Sequence, residues 1–187
     1  MTAQAINPTW SAPAGAGLVH AAEAVSGLLG VPGRVCTVRF QGKAVTAVAE
    51  LDRSAHDVLH REPITDLLAL ELVSGSAENL EWARPVTIQA IVVAGRDPVR
   101  AVQRAARWAS YASRVAIVPA DRVSEHAMAE AALRGVWLVV AGRPVQIASA
   151  GEVGPAPGSS RGLLHRLLDE VILAELRSDS APGIAFV

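Results

Sequence analysis

The sequence predicts an α/β domain built on a mixed central β-sheet with α-helices on both faces. Three observations point there. Two short strand-like runs fall early, at residues 35–40 and 44–51, joined by Gln41-Gly42 in the manner of a hairpin turn. Residues 85–95 (PVTIQAIVVAG) form a near-continuous apolar run of the kind seen in central strands. Beyond it, helical and strand-like segments alternate, as they do where parallel strands are joined by helices.

Each element has a local reason. Residues 1–16 are rich in Ala, Pro, Gly and Ser without periodicity and read as a flexible lead. Leu18, Ala21, Ala22, Val25, Leu28 and Leu29 recur at helical spacing, and Gly30 with Pro32 ends that helix. Residues 52–62 are polar and are stopped by Pro63. Residues 64–73 (ITDLLALELV) read as a third strand, and 74–84 as a loop. Asp97 is a good N-cap and Pro98 suits the first helical position, which predicts a helix over 97–112. Residues 115–118 read as a strand, and 124–133 as a helix ended by Gly135. Residues 136–140 and 145–148 read as a last strand pair. The division expected is a lead at 1–16, one domain over 17–150, a linker at 151–162, an amphipathic helix at 163–177 and a tail at 178–187.

Composition narrows the class. With 187 residues, the chain suits one domain of ordinary size, and 51% hydrophobic content excludes a chain disordered throughout. Charged or proline residues interrupt every apolar run well short of the ~20 residues that span a bilayer. The first residues have neither a basic n-region nor an apolar h-region, so no secretion signal is read. A lone cysteine, Cys36, excludes an internal disulfide and fits a reducing, cytoplasmic setting. The formal net charge of -1 gives no whole-chain field to attract nucleic acid. Of 17 basic residues, however, 16 are arginine, and Lys43 is the only lysine. Alongside 35 alanines, this reads first as compositional bias.

Four segments carry a family resemblance. They are 63–70 (PITDLLAL), 87–95 (TIQAIVVAG), 101–108 (AVQRAARW) and 114–119 (RVAIVP), with 134–140 (RGVWLVV) as a closing strand. In this order they resemble the PD-(D/E)XK superfamily of restriction-endonuclease-like folds. Members place an acidic residue after a proline at the start of one strand, then Glu-x-Lys in a buried strand. A helix with an internal glutamine follows. The resemblance implies a restriction-endonuclease-like mixed sheet over about 130 residues. It puts Asp66 on the first metal-binding carboxylate and Gln103 on the helix glutamine. Glu23 falls where some members carry an additional acidic ligand, although a surface glutamate is the simpler reading.

The catalytic pair is missing. The Glu-x-Lys positions fall on Val92 and Ala94, and shifting the register to use Glu71 puts Val73 at the lysine. In that family two carboxylates hold a divalent metal that lowers the pKa of a bound water, and the lysine positions the nucleophile. Asp66 without a second carboxylate would bind Mg²⁺ weakly, because that ion keeps most of its waters. Losing one electrostatic stabiliser typically costs ~10²–10³ in rate. The expectation is therefore a catalytically inactive nuclease-like domain without cofactor, serving as a nucleic-acid-binding or protein-interaction module. The alternative is an active Mg²⁺- or Mn²⁺-dependent nuclease with migrated carboxylates, Asp66 acting with Glu71, Glu50 or Glu81 and Gln103 assisting.

Three further patterns have both a functional and a plain reading. Arg96, Arg100, Arg104 and Arg107 share one helical face, either as a phosphate-tracking stripe or as a solvated surface. His56 and His60, at i and i+4 with Glu62 nearby, could share a metal, but their polar setting favours a solvated segment. Leu163, Leu164, Leu167, Leu168, Val171, Ile172 and Leu176 form a wide apolar face that must meet its own domain, a second copy or another protein. No membrane partner is expected.

Overall fold

A computed structural model describes residues 16–52, 61–75, 84–142, 145–158 and 162–178. The elements are α1 (Ala16–Leu29), β1 (Arg34–Phe40), β2 (Lys43–Leu51), α2 (Leu67–Gly75) and β3 (Val86–Ala94). They continue with α3 (Pro98–Ala106), β4 (Ser113–Pro119), α4 (Glu125–Leu133), β5 (Val136–Ala141), β6 (Gln146–Ser149) and α5 (Leu163–Ser178). The expected lead, most of the tail, His56, His60 and Glu81 lie outside the described residues, save that Ala16 opens α1 and Ser178 closes α5.

One six-stranded sheet runs β1-β2-β3-β4-β5-β6. β3, β4 and β5 are parallel, while β1-β2, β2-β3 and β5-β6 are antiparallel. The expected mixed α/β sheet is therefore present. The β1–β2 hairpin is set by Gln41 and Gly42, whose φ values of 49° and 74° give the two left-handed positions of a tight two-residue turn. Register places alternate residues on opposite faces. Ala47 and Ile91 pair toward one face, Val48 and Ala90 toward the other.

The two faces are covered unequally. α1 lies on one, sealing Val48, Ala90, Val92, Val115, Ile117 and Val139. The other carries two adjoining cores. α3 and α4 pack over β3, β4 and β5 through Ala101, Val102, Ala105, Ala127 and Ala131. α5 packs over β1 and β3 through Leu168, Ile172, Leu173 and Leu176, with α2 outside it. Small alanines on α3 and α4 let those helices approach the sheet closely.

Two expected elements are corrected. The strand over 64–73 is instead a loop followed by α2. Asp66 Oδ1 accepts the Ala69 N–H at 2.8 Å, closing an N-terminal cap. Leu67 to Leu72 reads Leu-Leu-Ala-Leu-Glu-Leu, all good helix formers with no β-branched residue. The helix expected over 97–112 ends at Ala106. Beyond it the Trp108, Ala109 and Tyr111 N–H groups bond three residues back, tightening the chain so that Trp108 and Tyr111 turn toward the α5 core.

The segment read as a linker is tied down over 151–158. Glu152 N–H donates to Gly135 O at 3.0 Å, Gly154 N–H to Ser113 Oγ at 2.8 Å and Ala156 N–H to Ala109 O at 2.6 Å. Trp137 Nε1 donates to Glu152 O at 3.1 Å. A Cβ at Gly151 would collide with the backbone of Val136 and Trp137, so only glycine allows this close crossing. The segment leads across the amino ends of β5 and β4 and delivers the chain to α5.

Candidate functional site

The residues that the nuclease resemblance brings forward are held apart by the sheet. Val92 is 3% exposed and lies with Ala94 on the face under α1. Asp66 caps α2, which packs through Leu70 against α5 on the opposite face. Glu71 is exposed on α2 rather than in a strand. Being five residues after Asp66, it does not share its helical face. Glu50, at the end of β2, and Glu23 on α1 are also exposed. Among the described residues, no three His, Cys, Asp or Glu side chains gather closely enough to hold a metal ion.

Gln103 is exposed on α3 and hydrogen-bonds Glu130 of α4 rather than facing Val92 or Ala94. Glu130 also accepts from Arg134 Nε at 2.6 Å. That bond, foremost, holds the Glu130 carboxyl below its ordinary range, with the Gln103 bond adding to it.

All four arginines are exposed, Arg100, Arg104 and Arg107 at helical spacing on α3 and its C-cap and Arg96 in the turn before it, and the geometry separates their states. Asp97 caps α3 through the Arg100 N–H at 3.1 Å, and its second oxygen lies 3.6 Å from Arg100 Nε. Both side chains are well exposed, so this is a solvated pair of little energetic weight. Arg104 bends back and donates from Nη2 to Ala94 O at 2.7 Å. It passes over Gly95, where any Cβ would lie 2.7 Å from that same nitrogen. Arg96, in the turn before α3, and Arg107, at its C-cap, are exposed. The opposite side of α3 is Ala101, Val102 and Ala105, all fully buried. That segregation creates the face: burying alanines and a valine forces every long cation outward.

α5 resolves the destination of its apolar face. Leu168 and Ile172 are wholly buried, Leu167 nearly so, Val171 half-buried and Leu164 39% exposed. The residues expected as an interface thus fill the domain's own core, leaving Leu164 toward solvent.

The same helix carries polar anchors that the sequence reading passed over. Glu170 is almost fully buried, accepts from both Nη atoms of Arg61 and takes the Ile64 N–H at 3.0 Å. His165 accepts the Gly162 N–H on Nδ1 at 3.3 Å, so Nε2 carries the proton shared with Ser110 O at 3.0 Å. Its ring stacks on Tyr111 with centroids 3.9 Å apart. Burial, and then the nearby Asp169 charge, raise the Tyr111 hydroxyl above its ordinary pKa. Near the amino ends of β4 and β5, Arg114 is completely buried. Its guanidinium reaches Gly135 O at 2.8 Å, Ala109 O at 3.3 Å and Glu152 Oε2 at 2.7 Å. A charged residue opening a strand that is otherwise apolar was the available signal for Arg114. Nothing in the local pattern marked Glu170, because its partner comes from over a hundred positions away.

An open groove of about 550 Å³ lies at one end of β1, β2 and β3, lined by Gly33, Arg34, Glu50, Asp52, Thr87 and Leu176. Arg34 Nη1 donates across it to Leu176 O at 3.3 Å, near the C-terminus of α5, where a cation suits the helix dipole. No helix among the described residues is long and apolar enough to cross a membrane. Comparison of the chain with protein-family models, curated proteins and solved structures gives no match.

Proposed function

We propose that this chain is a nuclease-like α/β domain without catalytic chemistry, which binds nucleic acid along the arginine face of α3. One observation carries the non-catalytic part. The positions where the resemblance requires Glu and Lys hold Val92 and Ala94 beneath α1, while Asp66 serves as a helix cap across the sheet. β3, α3 and β4 follow one another as that resemblance requires, with Gln103 on α3 and Pro119 closing β4. What supports the binding part is the exposed set Arg96, Arg100, Arg104 and Arg107, with Asp97 paired to Arg100 and Glu130 held by Arg134 and Gln103. Trp108 and Tyr111 are partly buried among core side chains rather than presented as stacking platforms. Contacts would therefore run to phosphates, giving salt-dependent and sequence-independent affinity.

Fluorescence anisotropy with labelled duplex and single-stranded oligonucleotides over a salt series tests this. Binding should weaken with salt by a log–log slope of about −0.9 for each duplex phosphate engaged. Arg100→Ala with Arg107→Ala should flatten that slope by about two phosphates' worth. Undetectable binding at low salt would overturn the nucleic-acid reading. A parallel incubation with Mg²⁺ or Mn²⁺ should leave the oligonucleotides intact. Metal-dependent cleavage abolished by Asp66→Ala would instead establish the active-nuclease alternative. On this reading Asp66→Ala costs only the α2 cap, about 1 kcal/mol of stability, measurable by thermal melting.

A further inference from the structure

α2 is apolar on both sides, and among the described residues only one side is covered. Leu70 is wholly buried against α5, whereas Leu68 and Leu72, one turn apart on the opposite side, are 64% and 69% exposed. Leu67, at the start of the helix, is 42% exposed. A helix with leucines all round ordinarily lies inside a core, and neighbouring exposed leucines mark a contact surface. Among the described residues, the exposed charges in and just before α2 are acidic. Glu62, Asp66 and Glu71 are exposed. Two arginines of the adjoining segments are engaged elsewhere, Arg61 with Glu170 and Arg177 Nη1 with Arg61 O at 2.6 Å.

We infer that the Leu68–Leu72 ridge is a docking site for a basic amphipathic helix of another protein. Its apolar side chains straddle the ridge, and its Lys or Arg residues meet Glu62, Asp66 and Glu71. The charges select this occupant. A second copy packed α2 to α2 would set Glu71 and Asp66 against their own kind. An anionic lipid surface would meet the same repulsion. Three partly exposed leucines also fall well short of the ~800 Å² per partner typical of a stable interface, so the complex is a transient one. This surface is separate from the α3 arginines and does not depend on nucleic-acid binding.

The test titrates the full chain into a fluorescein-labelled 18-residue helical peptide with leucines on one face and Lys and Arg beside them. A matched peptide carries Glu at the flanking positions. The cationic peptide should bind at least tenfold more tightly. Leu68→Ser with Leu72→Ser should weaken it tenfold or more, with circular dichroism and melting checking that the fold persists. Should that variant fail to fold, Glu62→Lys with Glu71→Lys alters only surface charge and should reverse the preference between the two peptides. Equal binding of both peptides, or of neither, overturns the inference. So does self-association, or binding to anionic vesicles, that the leucine substitutions abolish.

Discussion

α5 and α2 are neighbouring leucine-rich helices with different fates. In α5 the apolar residues follow the helical period, and Leu168, Ile172, Leu173 and Leu176 all sink into one core. In α2 they do not segregate, so Leu70 is buried while Leu68 and Leu72 face solvent. The difference teaches that periodicity, more than apolar content, determines how much of a helix a fold can hide. The apolar face of α5, which could have met its own domain, a second copy or another protein, is spent on its own sheet; the segment of α2 was expected as a strand and offers the open surface.

The sharpest way to break this comparison is to truncate the same residue type in both helices. Leu168→Ala removes a side chain with no solvent exposure and should cost about 2–5 kcal/mol. Leu72→Ala removes one that is mostly in water and should change stability by less than about 0.5 kcal/mol. Chemical denaturation of both variants checks the contrast, and equal losses would mean that α2 is covered in solution.

A smaller effect is expected at the polar anchor of α5. Glu170→Ala strips Arg61 and the Ile64 N–H of their buried acceptor and should cost about 2 kcal/mol. Because Arg61 and Ile64 lead into α2, proteolysis should also become faster there than elsewhere in the chain. Unchanged melting would place Glu170 in solvent and detach α2 from α5.

The mildest prediction is spectroscopic. Tyr111 is the only tyrosine, so absorbance near 295 nm during alkaline titration reports it alone. Its raised pKa means the folded state holds the phenol proton more firmly than the unfolded chain. The associated stability is therefore complete below the ordinary tyrosine pKa and is lost as pH climbs through the raised one. Asp169→Asn should move the transition back toward the ordinary value. A wild-type transition already at that value would show that α5 does not seat against Tyr111.

Where capping and period coincide in sequence, the fold was legible. Asp97-Pro98 opens α3, Ser124 caps α4 through the Ala127 N–H at 3.2 Å, and Gly135 ends it with φ 60°. Gln41-Gly42 makes its hairpin. The region around Asp66 reads as a strand because a short, mostly apolar segment does not reveal its period, and the cap that decides for helix was credited to metal chemistry. The arginine face was legible as spacing; that Arg104 folds back on Ala94 O was not, since the strand end it meets is a tertiary neighbour.

The sequence by itself determined the α/β class, the hairpin, the capped helices and the lack of a Glu-x-Lys pair, because each depends on residues within a few positions of one another. The tertiary structure decided which surfaces remain open. Whether α5 docks, whether residues 151–158 are fastened, and on which side of the sheet Asp66 and Val92 fall all depend on partners distant in the chain. Burial is settled by competition for one limited sheet surface: α5, with its leucines on one stripe, takes the place over β1 and β3. α2 is left outside it, with two leucines in water.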